Sequence, residues 1–253
     1  MRWHVRWISI GAHILYGALR QLLQMPGRLV ALRSERGGRF RVSPRDLRMH
    51  LLDAVRVTPF DRHYVYHVAW ALRVLKATPD LKEHIDIASS LYFVAAASVL
   101  VPTRFYDYRP ADLQLSGLSS GRADLKQLPF PTGSVVSLSC MHVVEHVGLG
   151  RYGDPFDPLG DVNAVEELKR VVAPGGQLLF VVPVGWQARI EFNAHRVYTH
   201  ALVLSMFEGF ELMEYALIPD EQRHGGLVRH ADPALTDHQH YGCGCFHFKK
   251  SSP

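Results

Sequence analysis

The stretch SVVSLSCMHVVEHV, residues 134–147, followed by ELKRVVAPGGQLLFVVPVG, residues 167–185, decides the architecture. Ser134–Cys140 and Gln177–Pro183 are short apolar runs without the regular polar alternation of a half-solvated strand. That pattern predicts strands buried on both faces. Between them Asp161–Val172 carries Val165, Leu168 and Val172 at helical spacing, with Asp161 as an apt N-cap and Pro174-Gly175-Gly176 as the stop. Upstream, His84–Ala88 (HIDIA) predicts a strand, followed by a Ser89-Ser90 turn and a helix through Ala97. Thr103–Tyr108 (TRFYDY) predicts another. Downstream, Phe210–Ile218 and Gly242–Lys249 read as strands with no helix between them. Alternating strands and helices imply an α/β fold: a doubly wound, mostly parallel sheet with an antiparallel C-terminal edge, preceded by a helical N-terminal region.

Composition bounds the rest. The chain has 253 residues, 47% hydrophobic and 21% charged, an ordinary globular mix with enough length for a large core. Three cysteines, an odd number, exclude a disulfide-built secreted scaffold and fit a reducing, cytoplasmic setting. The net charge of +4 is uneven: residues 1–48 hold ten arginines, no lysine, and only Glu35 and Asp46 as acids. Arg2, Arg6, Ser9, His13, Arg20 and Gln24 fall on one helical stripe, with Trp3, Trp7, Ile10, Ile14, Ala18 and Leu22 opposite. This predicts a basic amphipathic helix ended by Pro26-Gly27. Its apolar face suits packing on the body of the protein or a second subunit, peripheral membrane contact through residues 1–25, or a cleaved targeting peptide. No uncharged run reaches the roughly 20 residues of a membrane span. No recognition motif accompanies the arginines, so nucleic acid is not an expected partner. The expected organisation is a helical segment over 1–48 and an α/β domain over 49–253. Within the latter, 49–82 is a helical lead-in marked by Leu51, Leu52, Val55, Tyr66, Trp70 and Val74, and 83–253 is the core.

DLKQLPFP (124–131), the central strand with its Glu145-His146 pair, LKRVVAPGG (168–176) and the apolar strand after it occur in a telling order. In order and spacing this chain resembles the class I methyltransferases that use S-adenosylmethionine, over about residues 80–250. GLGRYGDPFDPLGD (148–161) with FNAHRVYT (192–199) resembles an uncharacterised family, domain of unknown function 268, often associated with polysaccharide loci. The resemblance implies S-adenosylmethionine as cofactor, with Asp86, Ala88 and Ser89 in the turn after the first strand, Asp107 as the ribose acid, and Asp124 with the Leu125 backbone facing the adenine. The turn departs from the family in having no glycine, where glycine serves positive φ and close approach. His142, at the central strand's carboxyl end, falls beside the expected methyl group and suits general-base work. Glu145, His146 and His195 are further catalytic candidates. Asn193, His195 and Arg196 are candidates for holding an anionic or sugar-like acceptor. The implied reaction is O-methylation of a small or glycan-type acceptor in polysaccharide biosynthesis, with a membrane surface as one setting. The alternative is a non-catalytic member binding a ligand or partner in a cell-envelope pathway.

No metal site is predicted. His142-Val143-Val144-Glu145-His146 matches the H-x-x-E-H string of certain zinc peptidases, but that chemistry needs a well-formed helix and a further ligand, and Gly148 and Gly150 interrupt one. Asp154, Asp157 and Asp161 read as turn and capping residues, and Cys243, Cys245 and His247 as one packed strand face.

Overall fold

The computed structural model describes residues 2–34, 40–41, 43–53 and 57–252, with the backbone alone for residues 2–14. The chain divides into two units, residues 1–60 and 61–253. In the first, α1 (Arg2–Arg33) runs through Pro26, where the sequence predicts its end. An interior proline removes one backbone hydrogen bond and crowds the preceding turn, yet helical residues on both sides carry the helix past it. The stripes at Arg2–Ile14 fall on side chains outside the described residues, and further along Leu15, Tyr16, Leu19 and Leu23 are exposed. Among the described residues no helix is long and apolar enough to cross a membrane. A 3-10 turn at Pro44–Asp46 is capped by Ser43.

The lead-in helix predicted from residue 49 starts later. Leu51 and Leu52 are not helical, and Val55 lies outside the described residues. Pro59 disfavours helix in the residue before it, and Asp61 then supplies the missing cap: its carboxylate accepts from Tyr64 N at 3.1 Å and opens α2 (Arg62–Ala77).

The second unit continues with β1 (His84–Ile87), α3 (Leu91–Leu100), β2 (Thr103–Asp107), β3 (Leu118–Arg122) and β4 (Val135–Met141). It is completed by α4 (Gly160–Val171), β5 (Val172–Val184), β6 (Arg189–Glu191), β7 (His195–Val197), α5 (His200–Met206), β8 (Phe210–Ile218) and β9 (Gly242–Lys250). Seven strands form one sheet in the order β3-β2-β1-β4-β5-β9-β8, and β6 and β7 form a separate hairpin. The first five strands pair in parallel, and β9 runs antiparallel to both β5 and β8. The expected doubly wound sheet with its antiparallel C-terminal edge is therefore present.

β5 shows why its sequence is continuously apolar. Leu178, Phe180 and Val182 join the core on one face, with Val165 and Leu168 of α4, while Leu179 and Val181 join the other, with Trp70 of α2 and Phe93 of α3. Each such side chain contributes about 1.5–3 kcal/mol on burial. Pro174-Gly175-Gly176 does not separate helix from strand as predicted. It lies inside β5 as an irregularity, between the Val135↔Val172 and Ser137↔Gln177 pairs. A Cβ on Gly176 would come within 2.9 Å of Ala173 O and 3.0 Å of Val135 O, so only glycine fits. Helix α4 likewise starts differently: its N-cap is Leu159, and Asp161 lies buried inside the first turn.

Candidate functional site

The strand β1 pairs with β2 on one side and β4 on the other, so the chain leaves it in opposite directions and opens a crevice at the carboxyl ends. A cavity of about 400 Å³ occupies it. Ala88 and Ser89 after β1, Asp107 at the end of β2, Asp124 and Leu125, and His142 after β4 line that cavity. The turn after β1 is left-handed at Ala88, with φ 54°. A residue carrying a Cβ resists this by about 1–2 kcal/mol, and the turn is held by Ala88 N donating to Tyr106 O at 2.7 Å. Ser89 ties two strands together: its N–H donates to Asp86 Oδ2 at 3.0 Å, and its hydroxyl oxygen accepts from Met141 N at 3.0 Å.

Asp86, grouped with the cofactor residues on the family pattern, does not line this cavity. Its carboxyl is fully buried beneath the turn, where it also accepts from the Ser139 hydroxyl. Burial pushes its pKa up to about 7 against those hydrogen bonds. Asp107 Oδ1 accepts from Arg109 N at 2.7 Å, and Asp124 accepts from Lys126 N at 2.9 Å.

A second cavity of about 380 Å³ meets the first. Tyr64, His142, His146 and Tyr152 line both. The second is walled further by His63 on α2, Glu145, Arg151, His195 at the start of β7, and Tyr241 before β9. His142 sits at the junction in a left-handed conformation, φ 58°, its N–H donating to Val181 O at 2.8 Å. Its ring stacks on His63 with centroids 5.4 Å apart and on Tyr64 at 5.3 Å, and meets His67 edge-on at 5.1 Å. Its Nδ1 lies 2.9 Å from Glu145 Oε1 and its Nε2 3.4 Å from Cys243 Sγ. Burial lowers His142 to about 4, His63 to about 4 and His67 to about 3. Burial raises Glu145 to about 7. At neutral pH His142, His63 and His67 are thus uncharged.

His146 is oriented differently. Its Nδ1–H donates to Ala194 O at 2.7 Å, which leaves Nε2 as the lone-pair nitrogen, 3.8 Å from Glu145 Oε1. His142 and His146 therefore present their nitrogens to different partners, unlike the paired ligands of a helical zinc motif. His195 Nε2 lies 3.2 Å from Glu191 Oε2, and its ring packs against Tyr241 at 5.0 Å.

Two residues weighed for acceptor binding fall elsewhere. Asn193 is exposed on the turn between β6 and β7 and lines neither cavity. Arg196 is buried: its guanidinium donates to Val147 O at 2.7 Å and Pro158 O at 3.3 Å and lies 3.4 Å from Asp161. Three acceptors close at hand desolvate it as a brace for the 148–161 loop. Asp161 also accepts from the Tyr198 hydroxyl at 3.0 Å. Asp154 and Asp157 cap turns of the same loop through Gly148 N and Leu159 N. His63, Tyr64, Arg151, Tyr152 and Tyr241 escaped the sequence reading; the only local signals were a chain histidine count of 15 and the His63/His67 spacing on one helix face.

Residues 133–225 match the family model described as Caenorhabditis protein of unknown function, DUF268. No curated protein matches the chain. Among solved structures, N-methyltransferase NodS from Bradyrhizobium japonicum WM9 is similar at 12% identity and TM-score 0.55, over 76% of this chain and 98% of that one. Its complex with S-adenosyl-L-homocysteine is similar at 14% identity and TM-score 0.51, over 78% of this chain and 92% of that one. A complex between the Haloferax volcanii Trm112 methyltransferase activator and a methyltransferase is similar at 18% identity and TM-score 0.51, over 76% and 91% of the two chains. With the strand order and the antiparallel β9, these likenesses establish that the α/β unit has the class I S-adenosylmethionine-dependent methyltransferase fold.

Proposed function

We propose that the α/β unit is an S-adenosylmethionine-dependent methyltransferase acting on an oxygen of a small or glycan-type acceptor. The observation that carries this reading is the meeting of two cavities at His142 and His146, one at the switch point of the sheet and one walled by imidazole and phenol rings. The donor set of the first cavity fits the cofactor. Asp107 offers a carboxylate oxygen to a ribose diol, and Asp124 with the Leu125 backbone offers a polar edge to adenine. S-adenosylmethionine supplies, when bound, an activated methyl group on a sulfonium centre.

The chain's own residues then have three tasks. Tyr64, Tyr152 and Tyr241 present flat apolar walls with polar rims, which suits the faces and hydroxyls of a sugar-like acceptor. His146 takes the acceptor's proton at Nε2, because Nδ1–H is committed to Ala194 O. His142 is less free for that role, since its Nε2 faces the Cys243 thiol. Alignment of the acceptor with the cofactor supplies much of the remaining rate. A cytoplasmic role in polysaccharide assembly belongs to this reading through the family resemblance.

One observation favours a second reading, a non-catalytic ligand-binding protein. The turn after β1 has the left-handed shape glycine ordinarily supplies, yet carries the Ala88 methyl in the cavity wall. Isothermal titration with S-adenosylmethionine and S-adenosylhomocysteine separates the two. Micromolar binding is expected; no heat at millimolar ligand would leave only the fold.

A further inference from the structure

Three segments remote in sequence bring together His63 in the first turn of α2, His142 after β4 and Cys243 at the start of β9. One potential ligand atom from each lies within 4.8 Å of the other two. His142 Nε2 and Cys243 Sγ are already 3.4 Å apart. A tetrahedral ion with bonds of about 2.0–2.3 Å holds its ligand atoms about 3.4–3.7 Å from one another, so that pair stands near the required edge length. His63, half-buried and on a helix terminus, must close by about 1 Å and turn its ring out of the stack with His142, so that its nitrogen completes a face of the tetrahedron.

The surroundings support coordination as well. The other ring nitrogen of His142, Nδ1, is held by the Glu145 carboxyl at 2.9 Å. Such a carboxylate–histidine contact orients a ligating imidazole and leaves Nε2 to the ion. Cys243 is fully buried, so an ion on its sulfur is shielded on the side of the sheet. The opposite side is the chamber lined by His63, Tyr64, His195 and Tyr241. Two imidazoles and one thiolate suit a borderline-soft divalent ion and not magnesium or calcium, which want oxygen.

We infer that His63, His142 and Cys243 form a three-ligand site for a zinc-type divalent cation, with its fourth position open to the acceptor chamber. Coordination converts the Cys243 thiol to a thiolate, and its proton leaves to solvent. The open position would take an oxygen or sulfur of the acceptor, and His146 remains the proton acceptor because it is no ligand. Cation binding stands independently of the methyltransferase reading.

The test uses the full chain freed of metal by chelator and titrated with Co²⁺, a spectroscopic stand-in for zinc. One equivalent should give a sulfur-to-cobalt charge-transfer band and strong tetrahedral visible bands, both abolished by Zn²⁺. Cys243→Ser should lose the charge-transfer band, and Cys245→Ser, 4.0 Å away by sulfur, should keep it. His63→Ala should weaken Co²⁺ at least about tenfold, and this variant keeps the test alive if the buried Cys243→Ser does not fold. No charge-transfer band in the native chain, a band that survives Cys243→Ser, or unchanged affinity in His63→Ala would overturn the site. S-adenosylhomocysteine titrated into the metal-free chain reports on the cofactor reading separately.

Discussion

Replacing His84 by glutamine isolates a single buried titration. His84 is fully buried on β1. Its Nδ1 lies 2.8 Å from Ser137 Oγ and its Nε2 2.9 Å from Ser139 Oγ. The Ser139 hydroxyl donates to Asp86, so its oxygen receives the His84 Nε2–H. Ser137 Oγ accepts from Gln177 Nε2 at 2.9 Å, and its own proton goes to His84 Nδ1. Both nitrogens of the neutral ring are satisfied, and a second ring proton would have no acceptor. Burial accordingly lowers the pKa from 6.5 to about 3.

The sign follows from linkage. Between pH 6.5 and 3 the unfolded chain binds a proton that the folded ring refuses, so this contribution to stability is whole above 6.5 and is lost as pH falls. The slope is about 1.4 kcal/mol per pH unit, or about 2.7 kcal/mol at pH 4.5. His84→Gln weakens one or two hydrogen bonds, at about 1–2 kcal/mol, but removes the titration. Urea denaturation should find the variant less stable at pH 7.5 and equal or more stable at pH 4.5, a relative change of about 2–3 kcal/mol. Asp86 titrates in the opposite sense, its raised pKa favouring the fold at low pH, and it is present in both proteins. A difference between the two proteins that is the same at both pH values would refute the reasoning.

Other perturbations probe the site and its supports. Asp107→Ala should raise the Kd for S-adenosylhomocysteine by about 10- to 100-fold, since one charge-assisted hydrogen bond is worth about 1.5–3 kcal/mol; calorimetry showing less than a threefold change would remove the ribose assignment. Arg196→Met should destabilise the fold by about 3–5 kcal/mol, because it strands Asp161 and two carbonyl oxygens in the interior. Denaturant midpoints check it, and a loss under about 1 kcal/mol would mean that the arginine is not a brace. Glu145 has its pKa raised by burial from 4.5 to about 7, so its contribution is whole below 4.5 and is lost as pH rises through 7. Glu145→Gln should therefore gain about 2 kcal/mol relative to the native protein between pH 5.5 and 8.5, and a flat difference across that window would contradict it.

What was legible in the sequence follows the reach of the interactions. β4 and β5 announce themselves because both faces of each are covered, so local composition is enough. β3, residues LSSGR, does not: it is an edge strand, mostly polar, and Gly121 is there because a Cβ would meet the Tyr106 ring at 2.7 Å. The crevice of the first cavity was readable for the same reason as the strands, since Ala88, Asp107, Asp124 and His142 sit at or just after strand ends in a fixed order. The second cavity was not, because α2, the turn before β7 and the approach to β9 converge only once the sheet has formed. Arg196 makes the point in one residue. Its type suits an anionic acceptor, and only its partners at Val147, Pro158 and Asp161, all distant in sequence, show that its charge is spent inside the protein.

The histidines join fold and site more closely than either pattern suggests. A count of 15 hints at metal or catalysis when read as composition. In the structure His63 and His142 line the chamber with His67 packed edge-on against His142, His84 bonds Ser137 and Ser139 from β1, and burial holds all four below their ordinary pKa. Their contributions have one sign: each binds a proton more readily in the unfolded chain, so each draws the protein toward unfolding as pH falls below 6.5. The chamber and the bonds of His84 are therefore destabilised over the same window, and loss of the site in acid should coincide with loss of the fold. His67 and His84 have no access to solvent, so protonating either requires the packed interior around it to open.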